Sequence, residues 1–245
     1  MKKIFFITAF LFCTNLFAQK GVYELRTYEL FQSSSVNSFN QYFEKAFIPV
    51  LNKLGIKNIG VFKEVSESLP SKFYILIPYK SFDKYQAVIA AIASDSELIS
   101  ASKTYNLYGK PMFNRYDTSL YKAFDGFPKI SKPAAGKDFF ELRTYESFSQ
   151  EAARRKVNMF NEGEIKIFDD VELGSVFFGE KIAGDRMPCL TYLLSFESLE
   201  ERNNNWDDFR VHPDWIRMKN EEAYKNSCCT SISREFLVAL PFSQL

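Results

Sequence analysis

The chain has 245 residues, 46% of them apolar and 25% charged, enough apolar side chain for one or two packed cores, which excludes wholesale disorder. Its 31 Lys and Arg stand against 30 Asp and Glu, a formal charge of +1, so nucleic-acid binding loses its main driving force. The single histidine, His212, excludes any metal site built on two or three histidines of this chain, and no metal site is predicted.

In chain order, Lys2 and Lys3 precede an apolar run from Ile4 to Cys13 that closes on small Ala18. Residues 1–18 therefore read as a signal peptide, and the chain is expected to be exported, to a periplasm or to the outside. The run is shorter than the roughly 20 apolar residues of a membrane span, and no later stretch reaches that length without charge, so no transmembrane segment is expected. Bulky Leu11 and Phe12 argue against a lipid anchor on Cys13. Cleavage leaves Cys189, Cys228 and Cys229. A bridge from Cys189 to one of the adjacent pair is chemically permitted in an oxidising compartment, and the plainer reading is small buried hydrophobes.

A strand is predicted over Val22–Leu30, then a helix over Val36–Leu54 with Phe39, Phe43, Phe47 and Val50 on one stripe and a kink or fresh start at Pro49. Strands follow at Ile59–Lys63 and Phe73–Pro78. Ser81 caps a helix carrying Phe82, Tyr85 and Ile92, a second helical piece covers Asp95–Tyr105, and a last strand is expected around Met112–Tyr116. The Pro-, Gly- and Lys-rich stretch 125–137 reads as a linker, with Lys129, Lys132 and Lys137 in solvent. Beyond it, strands are predicted at Phe139–Ser147, Ser175–Lys181, Leu190–Phe196 and Thr230–Val238, and helices at Ala152–Asp169 and Leu199–Lys225.

The chain repeats itself. Glu24-Leu25-Arg26-Thr27-Tyr28-Glu29 recurs unchanged as Glu141-Leu142-Arg143-Thr144-Tyr145-Glu146, 117 residues later, and Ser81 and Ser198 keep that separation. Val36-Asn37 and Phe39-Asn40 match Val157-Asn158 and Phe160-Asn161 at 121, which predicts an insertion that is later undone. Two copies of one domain follow, residues 19–124 and 138–245, each in the order βαββαβ of the ferredoxin-like plait. One such sheet covers a single face with its helices. Pairing the two open faces buries both and closes a pseudo-dimeric α/β barrel.

Alternation puts Glu24, Arg26 and Tyr28 on one face of the repeated strand and Tyr23, Leu25 and Thr27 on the other. The second set is the more apolar and is expected to meet the helices. Glu24, Arg26 and Tyr28, with Glu141, Arg143 and Tyr145, would then converge inside the barrel. Arg26 and Arg143 would clamp a carboxylate or enolate, Tyr28 and Tyr145 would donate to an oxyanion, and Glu24 or Glu141 would serve as base. The plainer alternative is a pair of internal Glu–Arg bridges that hold the barrel shut. His212, in Val211-His212-Pro213-Asp214-Trp215, reads either as an acid/base or haem ligand or as a helix-entry residue beside Trp215.

Tyr23-Glu24-Leu25-Arg26-Thr27-Tyr28 at a domain start resembles the opening of NIPSNAP-family domains. So does Trp206, Phe209-Arg210 and His212-Pro213-Asp214-Trp215 before a final strand. The first copy departs at this second motif, with Ile92 and Leu98 in place of Phe209 and Trp215, so whatever the motif does is expected of the second half alone. The resemblance implies the dimeric α/β-barrel superfamily, whose members include cofactor-independent oxygenases, small-molecule isomerases, haem-binding enzymes and proteins of no known activity. The mitochondrial and membrane-traffic roles of eukaryotic NIPSNAP proteins do not carry over to an exported chain.

No Gly-x-Ser-x-Gly elbow, dinucleotide-binding turn or phosphate loop is present, and Phe73–Pro78 lacks the Gly-aromatic pattern of RNA-binding plaits. The expected function is that of a small-ligand-binding or interaction protein of the cell envelope, compatible with a homo-oligomer. The alternative is an enzyme of oxygenase, isomerase or lyase type acting on a small carbonyl or aromatic compound in the barrel. No dedicated cofactor is predicted; haem is the one with any opening.

Overall fold

A computed structural model describes residues 21–107, 109–225 and 229–245. The expected signal peptide and Cys228 lie outside the described residues. The first copy runs β1 (Val22–Leu30), α1 (Val36–Tyr42), a π turn (Phe43–Phe47), α2 (Ile48–Lys53), β2 (Gly60–Glu64), β3 (Ser71–Tyr79), α3 (Phe82–Ala93), α4 (Ser96–Tyr105) and β4 (Arg115–Ala123). The second runs β5 (Phe139–Glu146), α5 (Gln150–Met159), a π turn (Phe160–Glu164), α6 (Ile165–Asp170), β6 (Gly174–Ala183), β7 (Cys189–Phe196), α7 (Leu199–Val211), α8 (Pro213–Met218) and β8 (Ser231–Ala239).

Serine starts the long helices of both copies. Ser81 and Ser198, with Ser35 and Ser149, each accept a hydrogen bond from the backbone N–H three residues on, an orphan donor that would otherwise face the helix end. The copies stay in step at 117 through these helices, since the π turns begin at Phe43 and Phe160 and the helices after them at Ile48 and Ile165. The Val36/Val157 match is therefore displaced by four residues, about one helical turn, and the predicted insertion is absent. What differs is the start of the helix, because Ser149 caps α5 about one turn earlier than Ser35 caps α1. Pro49 does sit at the start of α2. The second copy has Lys166 in its place and the same π turn, so proline is not what widens the helix.

Each sheet has the plait order, β4-β1-β3-β2 and β8-β5-β7-β6, antiparallel throughout. Two seams, β2 on β8 and β4 on β6, close them into one eight-stranded barrel with no free edge. β4 begins and ends later than the predicted Met112–Tyr116. Met112 is buried in the preceding loop, while Arg115–Lys122 pairs with β1 from Glu29 to Val22. Much of that strand is exposed and polar, so it lacked the apolar alternation on which the expectation relied.

The faces of the repeated strand are reversed relative to expectation. Tyr23 and Leu25 point into the barrel, packed with Phe62, Leu76, Tyr121, Phe140, Leu142 and Phe177 from both copies. Ring contacts cross between the halves there: Tyr23 meets Phe177 at 5.2 Å and Phe62 meets Phe140 at 4.8 Å. Glu24, Arg26 and Tyr28 point outward beneath α1 and its π turn, and Glu141, Arg143 and Tyr145 beneath the helices of the second half. The physical reason is that both faces of this sheet are buried. A closed eight-stranded barrel has an interior that side chains fill, so it takes the more apolar set, and the polar set is paired under the helices.

Candidate functional site

The predicted six-residue chamber therefore does not exist as one site. Its members form two separate clusters, one on each outer wall of the barrel. The barrel does hold a recess of about 160 Å³ at one end, but Thr27, Lys72, Tyr74, Lys181, Asp185 and Glu235 are among the residues around it, not the Glu–Arg–Tyr sets.

In the first half, Arg26 and Glu24 form a bidentate pair on β1, with Nε to Oε1 at 2.7 Å and Nη2 to Oε2 at 3.2 Å. Glu24 also accepts from Tyr79 Oη at 2.8 Å and Thr118 Oγ1 at 3.0 Å. Four donors hold this buried carboxylate, so it positions Arg26. Arg26 keeps Nη1 for the space beyond, where Tyr28 Oη lies at 3.4 Å. Burial alone would lower the Arg26 pKa; the Tyr28 oxygen and the Glu24 carboxylate raise it by more, and the guanidinium stays charged. Burial pushes the Tyr28 phenol up to about 12, against the pull of Arg26, so it is a neutral donor near pH 7.

That space is a cavity of about 280 Å³ between sheet and helices. Arg26 and Tyr28 form its polar wall, Phe47 and Tyr116 flank the guanidinium at 5.2 and 5.6 Å, and Ile92 and Leu98 close it from the helix side. Tyr116 stacks on Tyr28 at 4.8 Å. A fixed cation edged by aromatic faces in a small, mostly apolar space suits a flat compound with one oxygen that is anionic or becomes so.

In the second half the same place is filled. Arg202 of α7 takes Glu141, with Nε to Oε2 at 3.0 Å and Nη2 to Oε1 at 2.5 Å, and Trp206 Nε1 donates to Oε2 at 2.8 Å. Arg143, displaced from that carboxylate to 3.6 Å, lies 4.2 Å from the Trp206 ring centroid. Phe209 packs on Trp215 at 4.6 Å, and Tyr192 donates to Tyr145 at 2.8 Å. The aromatic motif expected to give the second half its function thus occupies the volume that stays open in the first.

His212 lies between α7 and α8 and caps α8, its Nδ1 accepting from Asp214 N at 3.3 Å. Cys189 is free and buried, its thiol pushed up by burial, and Cys229 is partly buried on the second outer core.

Two further groups belong to these walls. Tyr42, Tyr116 and Phe113 line the cavity from elements whose role depends on which face of the sheet is outward. Lys156 and Glu164 form a buried ion pair at 2.6 Å, with Lys156 Nζ above the Phe160 ring at 4.7 Å. Two charges within a predicted amphipathic helix, eight residues apart and so on the same stripe, were the available signal.

Among the described residues no helix is long and apolar enough to cross a membrane, and no cluster of His, Cys, Asp and Glu could hold a metal ion. The model of the NIPSNAP family matches residues 23–111 and 140–244. No curated protein matches the chain. Among solved structures, a monooxygenase-assigned protein from Lactobacillus acidophilus NCFM is 11% identical with a TM-score of 0.59, covering 90% of this chain and 94% of its own. One with the same assignment from Fusobacterium nucleatum subsp. nucleatum is 9% identical with a TM-score of 0.60, covering 90% and 93%. An anthrone oxidase-like protein is 8% identical with a TM-score of 0.51, covering 90% and 92%. At these identities the likeness is one of fold.

Proposed function

The chain belongs to the NIPSNAP family, and from that premise we propose that it binds a small, flat, oxygen-bearing organic compound between the sheet and helices of its first half. One observation carries this reading: the 280 Å³ cavity, whose polar wall is a buried guanidinium already aimed by its own carboxylate. Because Glu24 fixes Arg26 before any ligand arrives, little ordering remains to be done on binding. The signal-peptide pattern of residues 1–18 supports an exported protein, periplasmic or secreted, as its setting.

A second reading, an enzyme without a dedicated cofactor, draws support from the oxygenase-type names of the full-length structural neighbours. The residues fit the electrostatic part of such chemistry. Arg26 would hold a phenolate or enolate oxygen, the form of such a compound that is rich enough in electrons to react with an oxidant, and Tyr28 would donate a second hydrogen bond.

Titration with 1-naphthol tests the first reading. The expected result is saturable binding with the naphtholate absorbance present below the solution pKa of the phenol. Arg26→Met should remove that signal, and Ile99→Trp, at the cavity rim, should block binding. Absence of saturable binding, or unchanged binding in both variants, contradicts it. Oxygen uptake dependent on the naphthol would favour the enzyme.

A further inference from the structure

The two ends of the barrel differ in charge. Around the polar recess, Lys72, Lys181 and Arg186 stand among Glu29, Asp117, Asp185 and Glu235. At the opposite end, a groove of about 750 Å³ runs between the start of β1, the Gly55–Asn58 turn, the end of β3 and the linker. Lys57, Lys80, Lys84 and Lys129 line it, and among the described residues no carboxylate does. None of the four has an ion-pair partner among the described residues. In a chain of net charge +1, four cations gathered without a counter-charge form a field that attracts an anion.

A second observation points into the same groove. Tyr23 lines it, is 1% exposed, and its hydroxyl has no hydrogen-bond partner among the described residues. A side chain added at Gly21, also in the groove wall, would stand 3.7 Å from that oxygen. Buried hydroxyls are nearly always hydrogen-bonded, so an orphaned one beside an open groove marks a place where a guest supplies the acceptor. The remaining wall is apolar, from Ile56, Pro78 and Ile130. The groove volume lies within the range of sites that hold small organic molecules.

We propose that this groove binds a small organic acid, its anionic head held by the four lysines and the Tyr23 hydroxyl and its apolar body laid on Ile56, Pro78 and Ile130. The site is separate from the cavity at Arg26 and does not depend on the function assigned there. It also gives Lys129 a part that a merely solvated linker would not have.

Calorimetric titration of the purified protein with decanoate tests it, with decanol as the body without the charge and inorganic phosphate as a charge without the body. Decanoate should bind saturably and more weakly as salt is raised, with each control at least tenfold weaker. Lys80→Gln/Lys84→Gln should raise the Kd about tenfold, and Tyr23→Phe about threefold, both with unchanged circular dichroism. Excess 1-naphthol should leave the decanoate affinity as it was. The proposal is overturned if decanoate does not bind, if decanol binds equally well, if the lysine variant binds as tightly as the parent, or if naphthol displaces the acid.

Discussion

Two copies of one strand motif lead to opposite outcomes in the two halves, and the helices above them decide which. Positions 117 apart in the chain show how. Ile92 and Leu98 in the first half answer to Phe209 and Trp215 in the second, and Tyr85 answers to Arg202. Where the helix side is aliphatic, a cavity of about 280 Å³ stays open against Arg26. Where it is aromatic and carries its own arginine, Glu141 is taken from above and Trp206 covers Arg143. The exchange runs the other way along the first helix, where Phe39 and Phe47 answer to the buried pair Lys156 and Glu164. One half is built to be filled from outside and the other is filled from within.

The largest effect expected from breaking this contrast is at Glu141. Its removal in Glu141→Ala strands Arg202 and Arg143 beneath the helices without their carboxylate. Urea denaturation should show a loss of about 3–5 kcal/mol. A loss under about 1 kcal/mol would mean that the second half is not held by this network.

The ion pair sharpens the comparison further. Lys156→Phe alone takes from buried Glu164 the ammonium that stands 2.6 Å away and should cost about 3 kcal/mol. Lys156→Phe/Glu164→Phe imports the pair of the first half, and most of that loss should return. A double variant no more stable than the single would show that the two helices are not interchangeable.

A smaller effect is expected at high pH. Burial holds Tyr28 up to about 12, above its unfolded value near 10. A group whose folded pKa is raised adds stability below its unfolded pKa and loses it as pH climbs to the folded one. Stability should therefore fall between about pH 10 and 12, Tyr28 contributing at most about 1.4 kcal/mol per pH unit. Tyr28→Phe should flatten that fall; an unaltered slope would place the titration elsewhere.

Most of the fold was legible because it is written twice. The duplicated hexapeptide located β1 and β5, the helix-capping serines at 81 and 198 located the helices after β3 and β7, and sheet pairing followed from the need to cover two open faces. The site was legible only in its members. Polarity alternation separated Glu24, Arg26 and Tyr28 from Tyr23 and Leu25, but it could not say which set faced the helices, since both faces are dry. The decision lies with residues far along the chain, such as Phe177 against Tyr23 and Phe47 against Arg26. β4 was placed too early because its exposed, polar residues carry little hydrophobic pattern, so its Tyr116, the ring stacked on Tyr28, stood at the end of the predicted strand and not among the candidate site residues.

The most direct measurement is 1-naphthol binding to Ile92→Phe/Leu98→Trp, which plants the aromatic side chains of the second half over Arg26. The protein should fold with near-parental thermal stability and bind naphthol at least tenfold more weakly, because the space is gone. A variant that folds and binds as tightly as the parent would contradict the account and place the ligand outside the helix–sheet cavity.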